Sequence, residues 1–317
     1  MVDLSIIIVN WNGEELLKKC LASIAKSRPN TSFEVLVIDN ASTDNSVPWL
    51  KSEGVREFIG EDKLHIIENK ENLGFSKANN QGIVLSKSRL VLLLNSDTEV
   101  LDGAIDALIA RIDSDPKIGA CGPKLLNSDG TLQPSVFCNP PTPWELLING
   151  LRFYKLLPNN YRGTLLLGPF WNHNEVKEVS FVSGAAIMIK REVIARVGGL
   201  DESFHMYGED IELCLRIVRN GWKLLFEPSS RIIHYGGTSS KRRWNNYQKA
   251  KVQTQGFLQF QEKSLSPSHV LANVLSSYFV LSLERRLRAI RRIPVEDVNA
   301  PLDVYRGFLK NKLKNLF

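Results

Sequence analysis

Cysteine is scarce in this chain: four among 317 residues, Cys20, Cys121, Cys138 and Cys214. None forms a C-x-x-C pair, which argues against a disulfide scaffold or a zinc module and predicts buried, reduced thiols in a cytosolic chain. Long apolar runs are missing too. The opening run LSIIIV follows Asp3, lacks a basic leader and is short, so no secretory signal is expected. Residues 270–283 carry no charge, but at ~1.5 Å per residue they extend only about 21 Å, short of the ~30 Å of a bilayer core. No G-x-G-x-x-G follows the first strand pattern and no G-x-x-x-x-G-K-[ST] occurs. A dinucleotide dehydrogenase and a P-loop enzyme are therefore disfavoured. Internal repeats and low-complexity tracts are absent as well.

What remains is globular. Hydrophobic residues make up 43% and charged ones 23%, enough for one large α/β domain or two smaller ones with a real core. The net charge of +6 is uneven. Lys241, Arg242 and Arg243 form one basic cluster; Arg285, Arg286, Arg288, Arg291 and Arg292 form another. Such placement suits an anionic partner: a membrane surface, a polyphosphate or a nucleic acid. Nucleic acid is the weakest of these, because no aromatic-interleaved module accompanies the arginines. The uncharged stretch 270–283 next to those arginines has two readings, a helix lying on an anionic bilayer or a helix packed on the domain.

Strand-like and helix-like patterns alternate through the first hundred residues. Strands are expected at 4–9, 33–38, 64–67 and 90–94. Helical periodicity joins Leu16, Leu17, Cys20, Leu21 and Ile24; Ser42-Thr43-Asp44 marks a helix start; a turn at Asn72-Leu73-Gly74 leads into a helix ending near Leu85. This order implies a mostly parallel sheet with helices on both faces. Ligands gather at the carboxyl ends of such strands, where the polar segments Asn10-Trp11-Asn12-Gly13, Asp39 and Asn95-Ser96-Asp97 lie. Residues 123–176 are rich in Pro, Asn and Gly and read as a long irregular excursion carrying acceptor contacts. Beyond it come an apolar strand at 179–190, a helix with Ile211, Cys214, Leu215 and Val218 on one face, and strands at 222–227 and 231–233 closed by His234.

Individually, these polar residues have ordinary explanations. Asn95-Ser96-Asp97 makes a natural turn, although a carboxylate at a strand end can also ligate a divalent cation that bridges a diphosphate. Asp39 suits a base or ribose, or a turn with Ser42 or Thr43 as a cap. Asn10 and Asn12 carry the same ambiguity. Glu209-Asp210 opens an amphipathic helix, where carboxylates favour the helix dipole and where one could take a proton from an attacking hydroxyl. His234 is a metal ligand or a hydrogen-bonded strand-end histidine.

Taken together, the segments are far more specific. SIIIVNWNG, VIDNASTDNS, ENLGFSKANNQGI and LLLNSDTEV are followed by FVSGAAIMIKREVIARVGGLDESFHMYGEDIELCLRIVRNGWKLLFEP and IIHYGGTSS. In order and spacing the chain resembles glycosyltransferase family 2, the inverting enzymes of GT-A fold, over residues 4–240. NLGF and MYGEDIELCLR are most similar to the bacterial rhamnosyltransferase-like branch, which builds cell-surface polysaccharides. The resemblance implies a Rossmann-like α/β GT-A domain at 1–240, with a nucleotide-binding half at 1–100 and an acceptor-binding half at 101–240, and a basic, amphipathic helical extension at 241–317.

The resemblance also assigns roles. Asp39 contacts the base or ribose. Asn10, Asn12, Asn72 and Asn80 shape the nucleotide-sugar pocket. Asp97 binds Mg²⁺ or Mn²⁺ as the last residue of the D-x-D motif, and His234 completes the metal site. Asp210 is the catalytic base, with Glu209 assisting the acceptor. Asn95 departs from the family by replacing the first Asp of D-x-D; an amide is a weaker metal ligand, so Asn95 falls to the ribose or donor sugar. The implied partners are a nucleoside diphosphate sugar, dTDP-L-rhamnose by the branch, and a saccharide or polyprenyl-linked acceptor. The implied location is cytoplasmic, peripheral on the inner face of the cell membrane. Two rivals stand beside this reading: a catalytically silent subunit that binds nucleotide sugar or glycan on the same fold, and a nucleotidyltransferase, whose glycine-rich first loop is missing.

Overall fold

A computed structural model of the chain describes residues 2–137, 142–156, 171–204, 206–236 and 244–314. Four parallel strands form one half of a nine-stranded sheet. β1 (Leu4–Asn10) pairs on one side with β2 (Phe33–Asp39), which pairs with β3 (Leu64–Glu68), and on the other side with β4 (Leu90–Asn95). Their side chains are almost all buried, as expected of a parallel sheet covered on both faces. Leu4, Ile6 and Ile8 point to one layer, with Leu17, Cys20, Leu21 and Ile24 of α1 (Glu14–Ser27). Ile7, Ile38, Val91 and Leu93 point to the other, with Ala78 and Ile83 of α4 (Phe75–Leu85). Between β2 and β3 lie the short helices α2 (Ser46–Leu50) and α3 (Glu53–Ile59).

The sheet then curls. Two residues after β4, β5 (Thr98–Val100) begins, yet it does not pair with β4. It pairs with the far strand β11 (Lys223–His234), matching Thr98 to His234. Between β4 and β11 in the sheet stand β10 (Ala186–Lys190), antiparallel to both neighbours, and β6 (Ile118–Leu126), which is parallel to β11. The two-residue link at Ser96 and Asp97 therefore draws the end of β4 toward the end of β11. The turn that sequence places at a strand end sits where the sheet closes on itself.

α5 (Ala104–Asp113) covers the first layer. α7 (Arg191–Val197) and α8 (Glu209–Arg219) cover the second, through Val193, Ile194, Leu213, Cys214 and Ile217. Cys20, Cys121 and Cys214 are buried free thiols; Cys138 lies outside the described residues. An α/β architecture with a mostly parallel sheet, helices on both faces and a C-terminal helical extension is what the chain forms.

Several boundaries differ from expectation. The strand read at 179–190 is broken into β9 (Phe181–Val182) and β10, because the N–H of Ser183 goes to Ser135 O and that of Gly184 to a side chain. The strands read at 222–227 and 231–233 are one strand, β11, bent by a bulge between Glu227 and Arg231 opposite Pro123 and Lys124. Pro123 lacks a donor, and a bulge is where a sheet tolerates that. The excursion read from 123 starts later, since β6 continues to Leu126. It also contains β7 (Val136–Phe137), paired with β9, and α6 (Pro143–Gly150), opened by a Thr142–Glu145 capping box. The helix expected after Ser42 starts at Ser46, with Asp44 Oδ1 accepting from the Ser46 N–H and hydroxyl.

The C-terminal extension consists of α9 (Asn246–Ser264), α10 (Pro267–Ile290) and α11 (Glu296–Lys314). α9 docks on the domain: Phe260 packs with Phe204 and Leu215 of the loop and helix around α8. Val270 and Val274 of α10 and Tyr305 and Phe308 of α11 build a small core of their own with Leu258. Lys241, Arg242 and Arg243 lie outside the described residues.

Candidate active site

The site assembles at the carboxyl ends of β1, β2 and β4. Buried Asn10 donates its amide to Asp39 Oδ1 (3.1 Å) and Ser42 Oγ (3.2 Å). The second Asp39 oxygen accepts the Ser42 N–H at 2.9 Å. Asn12 has φ 51° and its Oδ1 accepts the Thr43 N–H at 2.6 Å. Asn72 Oδ1 accepts from the Gly74 N–H and from Asn40 Nδ2, each at 3.0 Å. Asn10, Asn12, Asp39 and Asn72 thus belong to one polar floor spanning three loops. Two oxygens in it are buried with no partner among the described residues: Asn10 Oδ1 and Asn95 Oδ1. Buried acceptors left unpaired cost free energy.

Asn80 is placed differently. Its amide donates to Leu200 O (2.8 Å) and Glu202 Oε1 (3.0 Å), while its oxygen accepts the Leu200 N–H (2.9 Å). It clasps α4 to the loop before α8, and its hydrogen-bonding groups are engaged there.

Asp97 is 8% exposed, and its Oδ1 lies 3.3 Å from His234 Nε2. The backbone fixes the pair, because the Tyr235 N–H donates to Asp97 O at 2.9 Å. Gln133 fixes the imidazole. Its Nε2 donates to Asn127 Oδ1 (3.0 Å) and His234 O (3.2 Å), so its Oε1, 2.7 Å from His234 Nδ1, accepts a proton held there. A neutral ring with its proton on Nδ1 turns a lone pair at Nε2 toward the carboxylate. Two acceptors facing one another suit a shared cation, and oxygen and imidazole nitrogen suit Mg²⁺ or Mn²⁺. Among the described residues no group of three or more His, Cys, Asp or Glu gathers as a metal cluster. Gln133 escaped the sequence reading: nothing in TLQPS marks it.

Glu209 and Asp210 open α8. Asp210 Oδ2 accepts the Gly184 N–H (2.9 Å) and Oδ1 accepts the Ile211 N–H (2.9 Å). Burial pushes the Asp210 carboxyl up from its ordinary range, and these two N–H groups pull it partly back. Glu209 is 6% exposed, and its Oε2 has no partner among the described residues. Burial, then the charge of Asp210, pushes it up to about 8. The residue after Gly184 ties this pair to the D-x-D-like turn: Ala185 O accepts the Asn95 N–H at 2.9 Å. Consecutive peptides at 184–185 thus hold the Asp210 carboxylate and the end of β4.

Residues 5–198 match the model of glycosyl transferase family 2, well over half of the chain. The chain belongs to that family. Residues 166–293 also match glycosyl transferase family group 2. Among curated relatives of this family 2 glycosyltransferase, the N-acetylglucosaminyl-diphospho-decaprenol L-rhamnosyltransferase of Mycobacterium tuberculosis is 27% identical over 75% of this chain and 78% of its own length. The low-salt glycan biosynthesis hexosyltransferase Agl10 of Haloferax volcanii is 33% identical over 68% of this chain and 62% of its own. A mannosyltransferase from Pyrobaculum calidifontis, solved in complex with GDP-Man and Mn²⁺, superposes with a TM-score of 0.58 at 16% identity, covering 100% of this chain and 89% of that one. That likeness shows the fold, GT-A. The chain is a glycosyltransferase acting on sugar nucleotides. No helix among the described residues is long and apolar enough to cross a membrane.

Proposed function

We propose that this glycosyltransferase transfers L-rhamnose from dTDP-L-rhamnose, with inversion, to a saccharide on a polyprenyl-linked acceptor at the inner face of the cell membrane. The observation that carries the reaction type is the buried Asp97 carboxylate turned toward His234 Nε2 at 3.3 Å, on a turn whose first residue, Asn95, is tied through Ala185 and Gly184 to Asp210 in the first turn of α8. The sugar and acceptor are supported by the rhamnosyltransferase relative, whose name specifies a decaprenol-linked substrate.

In this reading Asp39 and Asn10 receive the nucleoside, and Asn12, Asn72 and Asn95 border the donor. Asn80 acts from outside the pocket, by holding α4 to the loop that leads to α8. Asp97 and His234 hold a divalent cation, Mg²⁺ or Mn²⁺, which when bound neutralises charge on the departing diphosphate. Asp210 takes the proton from the acceptor hydroxyl as that oxygen attacks the anomeric carbon and the bond to the diphosphate breaks on the opposite face. One displacement leaves an inverted configuration. Glu209, neutral below about pH 8, donates a hydrogen bond to the acceptor and spares Asp210 a second buried charge.

A thermal-shift screen tests the donor. A ligand bound only by the folded chain stabilises it by about 2.7 kcal/mol at a hundred times its Kd. dTDP-L-rhamnose with Mn²⁺ should give the largest rise in Tm, and the same pair should give turnover with a lipid-linked saccharide. A larger rise and faster turnover with UDP- or GDP-linked hexoses would replace rhamnose in this reading.

A further inference from the structure

α10 carries an apolar ridge left exposed among the described residues. Leu271, Leu275, Phe279, Leu283 and Leu287 recur every fourth residue, and each is more than a third exposed. Residues four apart form one continuous row along a helix, here about 24 Å long at ~1.5 Å per residue. A neighbouring face of the same helix buries Val270, Val274 and Val280, and Val280 stands beside Phe279 and Leu283 of the ridge. The ridge is therefore a second apolar face on a helix whose first face is already packed.

α6 enlarges it. At Gly150 a Cβ would lie 2.3 Å from Val280 Cγ1, so the end of α6 is pressed onto α10. On and just after α6, Trp144 is 72%, Phe153 52% and Leu156 82% exposed. A part of the excursion between β6 and β8 (Lys177–Glu178) and a part of the C-terminal extension, far apart in sequence, thus pack side by side, each with exposed apolar residues. Single exposed apolar residues need no explanation, but a contiguous patch marks an interaction site.

Charge decides its partner. Arg152 adjoins Phe153, and Arg285, Arg286, Arg291 and Arg292 stand at the end of α10, all exposed. Arg288 is different, held by Glu284 and Asp297. Apolar ridges bordered by arginine and tryptophan match the boundary between acyl chains and anionic headgroups. A protein partner of ordinary composition would leave most of those cations unpaired.

We propose that α6 and α10 together form one docking face for a bilayer containing anionic lipids, with the helices in the membrane plane. This deepens the membrane reading given above, and rests on it, by adding α6 to a surface that sequence confined to the tail. Each element supplies apolar anchors, and the arginines meet lipid phosphates.

The test is co-sedimentation of the full chain with phosphatidylcholine vesicles with and without phosphatidylglycerol. The chain should sediment with phosphatidylglycerol vesicles and remain in the supernatant with phosphatidylcholine alone. Trp144→Ser with Phe153→Ser, and separately Leu275→Ser with Phe279→Ser, should each lower partitioning roughly tenfold or more. Replacing Arg285, Arg286, Arg291 and Arg292 by Gln should lower it and flatten its salt dependence. Leu156→Ser provides a second variant on the α6 side, and an unchanged donor-induced thermal shift verifies folding. If the α10 pair abolishes binding while both α6-side variants bind like the wild type, the joint face is wrong and a tail-only membrane contact survives. If the wild type ignores both vesicles, both readings fall. If light scattering instead shows a dimer that these substitutions dissolve, the face joins copies of the chain and the bilayer is not its partner.

Discussion

Gly256, in the middle of α9, lies against the backbone of Gly208, the residue that precedes the Glu209–Asp210 pair. A Cβ at Gly208 would meet Gly256 O at 2.7 Å, and one at Gly256 would meet Tyr207 O at 2.1 Å. Tyr207 and Gly208 both have positive φ, 67° and 97°, so the loop has little freedom to retreat. Ala normally stabilises a helix interior by about 1 kcal/mol over Gly. Gly256→Ala should do the reverse. We expect a lower Tm and, because misplacing a catalytic group by an ångström costs about 10²-fold, a turnover loss of that order. Gln255→Ala, an exposed neighbour, is the control. A Gly256→Ala variant as stable and active as that control would show that α9 does not hold the loop.

Asp210→Asn addresses the proposed base. Asn keeps the size of the side chain and one acceptor for the N–H groups of Gly184 and Ile211, but cannot take up a proton. General-base catalysis typically contributes about 10²–10⁴-fold, so turnover should fall by that factor while the thermal shift given by the donor stays near that of the wild type. Wild-type turnover in this variant removes Asp210 from the reaction.

Glu209 makes stability depend on pH. Its carboxyl is raised from 4.5 to about 8 in the folded chain. Between those values the folded chain keeps the proton and the unfolded chain releases it. Stability therefore falls as pH rises from about 5 to 8 and levels off above that. Glu209→Gln lacks the ionisation, so its Tm minus that of the wild type should grow from pH 5 to about pH 8 and then level off. A constant difference would mean that Glu209 is not held in its neutral form.

Where sequence was legible, local physics and position coincide. The runs at β1, β2 and β4 are apolar without alternation, because both faces are buried, and each ends in polar residues that the parallel order gathers on one side. Asp97 and His234 were separable from ordinary turns only by the whole set of segments, and the pairing of Thr98 with His234 is what joins them. The illegible parts depend on long-range geometry. Asn80 carries the same letter as the asparagines of the polar floor, yet it clasps Leu200. β9 and β10 read as one apolar strand, since nothing local says that the Gly184 N–H leaves the ladder for Asp210. α6 was hidden in a stretch rich in Pro and Gly despite its capping box.

Gln133 gives the sharpest test of the proposed metal site, because it touches His234. Its oxygen lies 2.7 Å from Nδ1 and orients the ring so that Nε2 faces Asp97 at 3.3 Å. Removing a partner that orients a metal-binding imidazole typically weakens metal affinity about 10–100-fold. Gln133→Leu keeps similar volume and removes both the acceptor to Nδ1 and the donor to His234 O. Mn²⁺ titrations followed by thermal shift should show that loss, with the apparent Kd raised by this factor. Gln133→Glu keeps an acceptor at Nδ1 and should retain most of the affinity. EDTA should abolish the Mn²⁺-dependent stabilisation of both the wild type and Gln133→Glu. Equal Mn²⁺ affinities for the Leu variant and the wild type would mean that His234 is not the imidazole donor, leaving Asp97 as the remaining protein ligand.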